Sequence, residues 1–182
     1  MIYNYVISIY IMHHSTFIGY MASIYNPTTY VELGLYHGET ITKVQPFAKK
    51  LYGIDIKPNE HLESLKRFSN VDIQYNYTDA FFESFTGTID MAFIDADHCY
   101  ESAQRDFDNV LRRLNPGGII MLHDTDPEEE RLIHPGYCGD SYRIVSVLEN
   151  RDDINIVTIP IQEAGLSIVT KKNDTRTFRR HL

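Results

Sequence analysis

The sequence contains no apolar run of 18 residues, so nothing in it is expected to span a membrane. Cysteine is nearly absent. Cys99 and Cys138 are the only two, and neither belongs to a CxxC pair, which excludes a disulfide framework and makes a reduced, cytoplasmic setting the default. Their spacing to the histidines fits no familiar zinc pattern. Lysine and arginine are missing before Lys43, so the apolar start MIYNYVISIYIM lacks the positive region of a signal peptide. No small-residue cleavage site follows it, and it is read as a retained core or interface element. Positive charge is scarce throughout. The formal charge is −8 even though Thr170 to Leu182 carries five basic residues and one acid. So acidic a body is a poor general binder of phosphate backbones, and nucleic acid is not an expected partner. The basic end reads as a solvated terminus. Repeats, low-complexity segments and linkers are absent too. With 182 residues, 43% of them hydrophobic, the chain suffices for one well-buried core and not for two.

What the sequence does contain is an alternation of apolar runs and helical patterns, the form taken by a parallel sheet wrapped in helices. Ser15 or Thr16 can cap a short helix with Phe17, Tyr20, Met21 and Ile24 on one face, ending before Pro27. Strands are expected at TYVEL, LYGIDI, VDIQYNY, IDMAFIDA and GIIMLHD. Between them lie a helix from Glu39 that Pro46 must end, one entered through Asn59 with Leu62, Leu65 and Phe68 inward, and ESAQRDFDNVLRRL with Phe107, Val110, Leu111 and Leu114 as its stripe. NPGG stops that helix. Thr125 to Ser141 is polar and long for a connection, as a lid or substrate loop would be. A helix over 142–150 follows, then INIVTIP and GLSIVTKK, too close together for a crossover helix and therefore a candidate antiparallel hairpin.

In such sheets ligands bind beyond the carboxyl ends of the strands. The polar residues there are Glu32 and Gly34, Asp55, Asp79, Asp95 with Asp97, and His123 with Asp124. The loop Glu32-Leu-Gly34-Leu-Tyr-His-Gly38 lets backbone approach a ligand closely, but it is not GxGxxG. Glu32 disfavours a pyrophosphate and suits a cation such as an ammonium or sulfonium. Asp55 lies twenty-three positions on, where a carboxylate can accept two ribose hydroxyls or cap the next helix. Asp79 can reach an adenine amino group or, again, serve as a cap.

VELGLYHGET, GIDI and FIDADHCYESAQRDFDNVLRRLNPGGIIMLHDT together resemble the class I methyltransferases that use S-adenosylmethionine. The similarity is closest to the small family of macrocin-type sugar O-methyltransferases and cephalosporin hydroxylase-like proteins, and it runs from Tyr30 to Lys171. It implies a single doubly wound, Rossmann-like sheet of seven strands, mostly parallel, with a C-terminal antiparallel hairpin. Residues 1–26 would be an apolar segment packed on the core or in a homodimer, 27–172 the methyltransferase domain and 173–182 a basic tail. The resemblance implies cofactor contacts from Glu32, Gly34, Leu35, Tyr36 and Gly38 on the methionine and ribose side. Asp55 and Ile56 would lie at the ribose, Asp79 and Ala80 at the adenine, and Asp95 beside them. In relatives, carboxylates after the fourth and fifth strands hold a divalent cation, Mg²⁺ or Mn²⁺. The matching residues here are Asp95, His123 and Asp124, with Asp97 as general base and His98 as the other base candidate. His123 departs from the family's acidic pair, and imidazole suits Mn²⁺, Fe²⁺ or Zn²⁺ better than Mg²⁺.

The expected activity is O-methylation of a small hydroxylated metabolite, with sugars and sugar-bearing compounds as the class suggested by the resemblance. The run expected of amino-directed nucleic-acid methyltransferases, Asn/Asp-Pro-Pro-aromatic, is replaced by DADHCY. The rival is a cofactor-binding domain without transfer activity that serves as an interaction module. Asp97 and Asp124 favour the enzyme, because a pure binder has no evident need of them.

Overall fold

The computed structural model describes residues 12–172; the expectations for 1–11 and for the tail 173–182 lie outside these described residues. Helix α1 (His14–Tyr25) leads into strand β1 (Thr29–Leu33), after which helices and strands alternate. They are α2 (Glu39–Val44), β2 (Lys50–Asp55), α3 (Glu60–Leu65), β3 (Val71–Tyr75), α4 (Thr78–Ser84), β4 (Ile89–Ile94), α5 (Tyr100–Arg113) and β5 (Leu114–His123). Short 3-10 turns at Glu130–Ile133 and Ser141–Arg143 precede α6 (Ile144–Glu149), and β6 (Ile154–Ile159) and β7 (Leu166–Lys171) close the chain.

The seven strands run β3-β2-β1-β4-β5-β7-β6. Strands β1 to β5 are parallel, and β7 is antiparallel to both β5 and β6, so the closing strands form the expected hairpin. Because the order reverses between β1 and β4, their carboxyl ends open side by side, the place where an open α/β sheet forms a crevice.

Alternation along each strand supplies two cores. Val31, Leu33, Ile54, Ala92, Ile94 and Leu122 face α4, α5 and α6, where Phe81, Phe107 and Val110 are buried. Tyr30, Leu51, Met91, Phe93 and Met121 face α1, α2 and α3. The α5 stripe is as expected, with Phe107, Val110, Leu111 and Leu114 all buried, although Leu114 already belongs to β5. That strand begins before NPGG, and its pairing with β4 shifts register between Ile89 and Met91.

Helix α1 differs from expectation. Its buried line is Ser15, Ile18, Gly19 and Ala22; of the expected face, Phe17 and Met21 pack half-buried against the core while Tyr20 and Ile24 are each 64% exposed. Small residues win because the helix lies against α2, where a Cβ on Gly19 would stand 2.9 Å from the Lys43 Cβ. His13 rather than Ser15 or Thr16 is the N-cap, its ring accepting from the Ser15 N–H. The Ser15 hydroxyl instead accepts from Lys43 Nζ at 2.7 Å. No helix among the described residues is long and apolar enough to cross a membrane.

Candidate active site

The loop after β1 passes close to the loop after β4, and glycine is required there. Gly34 has φ +82°, and a Cβ on it would sit 2.1 Å from the Asp95 carbonyl oxygen. Asp55, at the end of β2, braces this loop. Its Oδ2 accepts from Leu35 N–H at 2.8 Å and Tyr36 N–H at 3.0 Å, and its Oδ1 accepts from Lys57 N–H at 2.8 Å. Asn59 adds a bond from Nδ2 to the Tyr36 carbonyl at 2.7 Å while its Oδ1 caps α3. Three of the four lone-pair sites of the Asp55 carboxylate are thus committed to backbone.

Two cavities open on the loop. The first, about 790 Å³, lies between Gly34, Asp95, His98, His123, Asp124 and the segment Leu132 to Cys138. The second, about 280 Å³, is lined by Asn76, Tyr77, Asp79, Asp97, Ser102 and Asp106. Gly34, Asp55, Ile56 and Ala96 border both, so one elongated ligand can run from one cavity into the other.

Four ionisable side chains meet on the wall of the first cavity. His123 Nδ1 lies 3.2 Å from Asp95 Oδ1 and 3.1 Å from Asp124 Oδ1. His98 Nε2 lies 3.6 Å from Asp95 Oδ1 and 3.3 Å from Asp124 Oδ2. Burial alone would raise the Asp95 carboxyl, but the two histidines outweigh it and hold it well below the usual carboxylate range. His98 is lifted to about 9, chiefly by its bond to Asp95. Burial opposes charge on His123, yet the two carboxylates carry it up to about 10. At neutral pH both imidazole rings are therefore charged beside the Asp95 carboxylate. Cys138, on the same wall, has its thiol pushed up to about 12 by burial and by Asp124 and Asp95, so it is protonated and no nucleophile.

The pairing in this cluster is incomplete in one respect. Among the described residues, Asp124 Oδ2 is buried without a hydrogen-bond partner, because the His98 nitrogen approaches it without the alignment of a hydrogen bond. His98 is itself oriented, since its Nδ1–H donates to the Tyr137 carbonyl and turns Nε2 toward the carboxylates. Ligand atoms of Asp95, His98 and Asp124 all lie within 4.8 Å of one another, a spacing that suits one divalent cation. His123 is not part of that trio; its Nδ1 is taken up between the two carboxylates, and its Nε2 is buried without a partner among the described residues. The expected set of Asp95, His123 and Asp124 shares its two carboxylates with this trio, which has His98 where that set has His123.

The other expected residues are distributed as follows. Glu32 is 1% exposed and borders neither cavity. Leu35 and Gly38 are buried behind the loop, and Ala80 lies on α4 behind Thr78 and Asp79. Tyr36 and Ile56 are exposed on the cavity rim. Asp79 caps nothing; its carboxylate accepts from Arg105 Nε and Asn109 Nδ2, each at 3.3 Å, on the wall of the second cavity. Asp97 stands apart from Asp95, because the chain bends at Ala96 between them instead of continuing the alternation of the strand. It accepts from the Ser102 hydroxyl at 2.8 Å and faces the second cavity, so the structure does not bring it to the cluster as a base.

Sequence reasoning missed His14. Its ring lies 4.2 Å from that of His123, and both its backbone N–H and Nδ1 bond to Gln162 Oε1 at 3.1 and 2.7 Å. Burial and the neighbouring His123 lower it to about 4, so it is neutral. Nothing but the HisHis pair at the helix start hinted at it, since its partners lie more than a hundred positions away.

A nucleotide-sized crevice at a strand-order reversal, with a glycine loop on one side and an acid–imidazole cluster on the other, defines an enzyme of the doubly wound α/β class. A methyltransferase-domain family matches residues 31–125, just over half of the chain, and the chain belongs to that family. Solved structures share the fold. An S-adenosylhomocysteine-bound methyltransferase of Podospora anserina superposes with a TM-score of 0.73 at 15% identity, covering 88% of this chain and 78% of that one. An S-adenosylmethionine-bound O-methyltransferase of Streptomyces achromogenes involved in tomaymycin synthesis gives 0.70 at 15%, covering 87% and 79%. An N-methyltransferase of Bradyrhizobium japonicum gives 0.66 at 17%, covering 87% and 93%. Among curated proteins, an uncharacterized protein of Acanthamoeba polyphaga mimivirus is 28% identical over 116 residues, 53% of this chain and 51% of that protein. One of Sinorhizobium fredii is 28% identical over 69 residues, 38% of this chain and 8% of that protein. The chain therefore spans about half or less of the length of these two relatives.

Proposed function

We propose that the protein is an S-adenosylmethionine-dependent O-methyltransferase whose acceptor is a small hydroxylated metabolite. The observation that carries this reading is the unpartnered Asp124 Oδ2 facing His98 Nε2, on the wall of a cavity shared with the glycine loop. The donor set fits the cofactor. Asp55 keeps one acceptor site for a ribose hydroxyl, Asp79 faces the second cavity where an adenine amino group would lie, and Asp95 and Asp124 offer negative charge to a cationic centre in the first. When bound, S-adenosylmethionine supplies a methyl group already activated on a sulfonium sulfur.

The protein must then bind and orient the acceptor and receive one proton. Asp124 Oδ2 accepts the hydrogen bond of the acceptor hydroxyl, and His98 Nε2 beside it fixes the hydroxyl's position. The segment Leu132 to Cys138 covers the acceptor side. With a divalent cation present, Asp95, His98 and Asp124 would instead hold the cation, which would displace the His98 Nε2 proton and take over those contacts by lowering the hydroxyl's pKa, while His123 remains the fixed countercharge. With two oxygens and one nitrogen the trio suits Mn²⁺ or Fe²⁺ at least as well as Mg²⁺. The acceptor class, small and hydroxylated, rests on the modest cavity and on the acidic chain, which disfavours nucleic acid.

Transfer of an isotope-labelled methyl group to a panel of hydroxylated and amine-bearing metabolites tests this, with and without a chelator. O-methyl products that vanish in Asp124→Asn support it. Labelled nitrogen products alone, or no cofactor binding by calorimetry, would overturn it.

A further inference from the structure

Glu32 is the last residue but one of the strand that leads into the glycine loop, yet it touches neither cavity. It is 1% exposed, on the sheet face that packs against α1 to α3. Its Oε2 accepts from the Tyr30 hydroxyl at 2.5 Å, two residues back on the same face, where Tyr30 is fully buried. It also takes the backbone N–H of Ile41, in the first turn of α2. That helix needs an outside acceptor, because its N-cap is Gly38 and no side chain caps it. Among the described residues Glu32 has no ion pair, and the charged group acting on it is Asp95, of the same sign.

A carboxylate meant to hold a cationic ligand would face the cavity. This one instead ties the two ends of the loop together, gripping β1 through Tyr30 and the start of α2 through Ile41. We infer that Glu32 is a positioning residue for the Gly34–Gly38 loop, acting through its hydrogen bonds and not through its charge, and that it makes no contact with the bound cofactor. Burial, opposed by the Tyr30 bond, pushes its carboxyl up to about 8, in keeping with a group that works in its neutral form. This rests on the proposal that the crevice takes S-adenosylmethionine only for the affinity arm of the test.

Glutamine keeps an acceptor for the Ile41 N–H and a polar partner for the Tyr30 hydroxyl; alanine keeps neither. Glu32→Gln should therefore leave the Kd for S-adenosylmethionine within about threefold of wild type, whereas Glu32→Ala weakens it by about tenfold or more. Hydrogen exchange of the Tyr36–Ile41 amides in the ligand-free protein should speed up in Glu32→Ala and stay unchanged in Glu32→Gln. If Glu32→Ala does not fold, Tyr30→Phe serves instead, with faster loop exchange and weaker binding expected from a residue that is nowhere near the ligand. Glu32→Gln weakening binding as much as Glu32→Ala, with loop exchange unchanged in both, would overturn the inference. So would wild-type exchange in Tyr30→Phe. Failure of the wild type to bind the cofactor would refute the cofactor reading alone, since the exchange arm needs no ligand.

Discussion

Asp55 is the residue where the usual role of its position and its hydrogen bonds diverge most, and the divergence can be measured. A carboxylate at the end of the second strand is ordinarily expected on ribose hydroxyls. Here it receives three backbone N–H groups, two from the glycine loop and one from Lys57. Hydrogen bonds to a charged acceptor contribute about 1.5–3 kcal/mol each when the alternative is an unsatisfied group. Asp55 is only half-buried, so water can replace part of what a mutation removes. Discounted for that, Asp55→Ala should lower unfolding free energy by about 2–4 kcal/mol. Asp55→Asn can serve one arm of the arrangement but not both, and should cost about 1–2 kcal/mol. Urea denaturation without ligand reads both values directly. Calorimetry with S-adenosylmethionine should then show weaker binding by about 1.5–3 kcal/mol in Asp55→Ala, since the loop is lost along with any ribose contact. A ligand-free stability within about 0.5 kcal/mol of wild type, with binding still impaired, would show that Asp55 acts on the ligand alone and that the loop braces itself.

Other consequences can be tested in parallel. In chelator-treated protein, His98 and His123 have folded-state pKa values raised to about 9 and about 10, so their stabilising effect is complete below the unfolded value of 6.5 and is lost as pH climbs through the folded values. Unfolding free energy should fall by several kcal/mol between pH 6.5 and 10, His98 contributing less than its shift implies because solvent screens it, and a flat profile would refute the charge-balanced cluster. For the cation, His98→Ala should weaken Mn²⁺ binding by about tenfold or more while His123→Ala keeps measurable affinity, and the reverse order by paramagnetic resonance would restore His123 as the ligand. In the core, Phe107 is fully buried between α5 and the sheet, and Phe107→Ala should destabilise by about 3–5 kcal/mol in the same urea assay; a loss under 1 kcal/mol would mean that the helix repacks. Gly34→Ala must displace the Asp95 carbonyl or the loop, and is expected to abolish cofactor binding even where the protein still folds.

The order of strands and helices was legible because their signals are local. Apolar runs of strand length, Pro46 after α2, Asn59 before α3 and the stripe of α5 each depend on a few neighbouring residues. Helix α1 was misread for a physical reason. Its large apolar residues looked like the inner face, but a helix wedged closely against α2 buries its small residues and leaves Tyr20 and Ile24 outside. Side-chain size carries no information about how near the neighbouring helix lies. The early start of β5 was hidden in the same way, because an extended NPGG pairs only if β4 shifts register to meet it.

The site shows where local reading ends and geometry begins. Asp95, Asp97, His98, His123 and Asp124 could all be named from their positions at strand ends, but position does not fix the direction in which a side chain points. Asp97 turns to the second cavity because the chain bends at Ala96, after which its carboxylate takes the Ser102 hydroxyl. His98 turns to the first because the carbonyl of Tyr137, 39 positions away, takes its Nδ1–H. His123 was chosen as a ligand for its place next to Asp124, yet it is the histidine whose Nδ1 already lies between both carboxylates. A cation needs oxygens that are not already saturated by a neighbouring imidazolium. That condition is best met at Asp124 Oδ2, which among the described residues has no hydrogen bond, since the His98 nitrogen beside it is not aligned for one. The proposed exchange of roles between the two histidines rests on one long-range contact, the loop carbonyl that fixes the His98 ring. It also predicts how the site can be rewired. Removing the grip of the loop by deleting residues 134–137 should free the His98 ring and lower Mn²⁺ affinity about as much as His98→Ala, with Asp95, His98 and Asp124 all still present. Unchanged Mn²⁺ affinity in that deletion would show that the Tyr137 carbonyl does not orient the ligand.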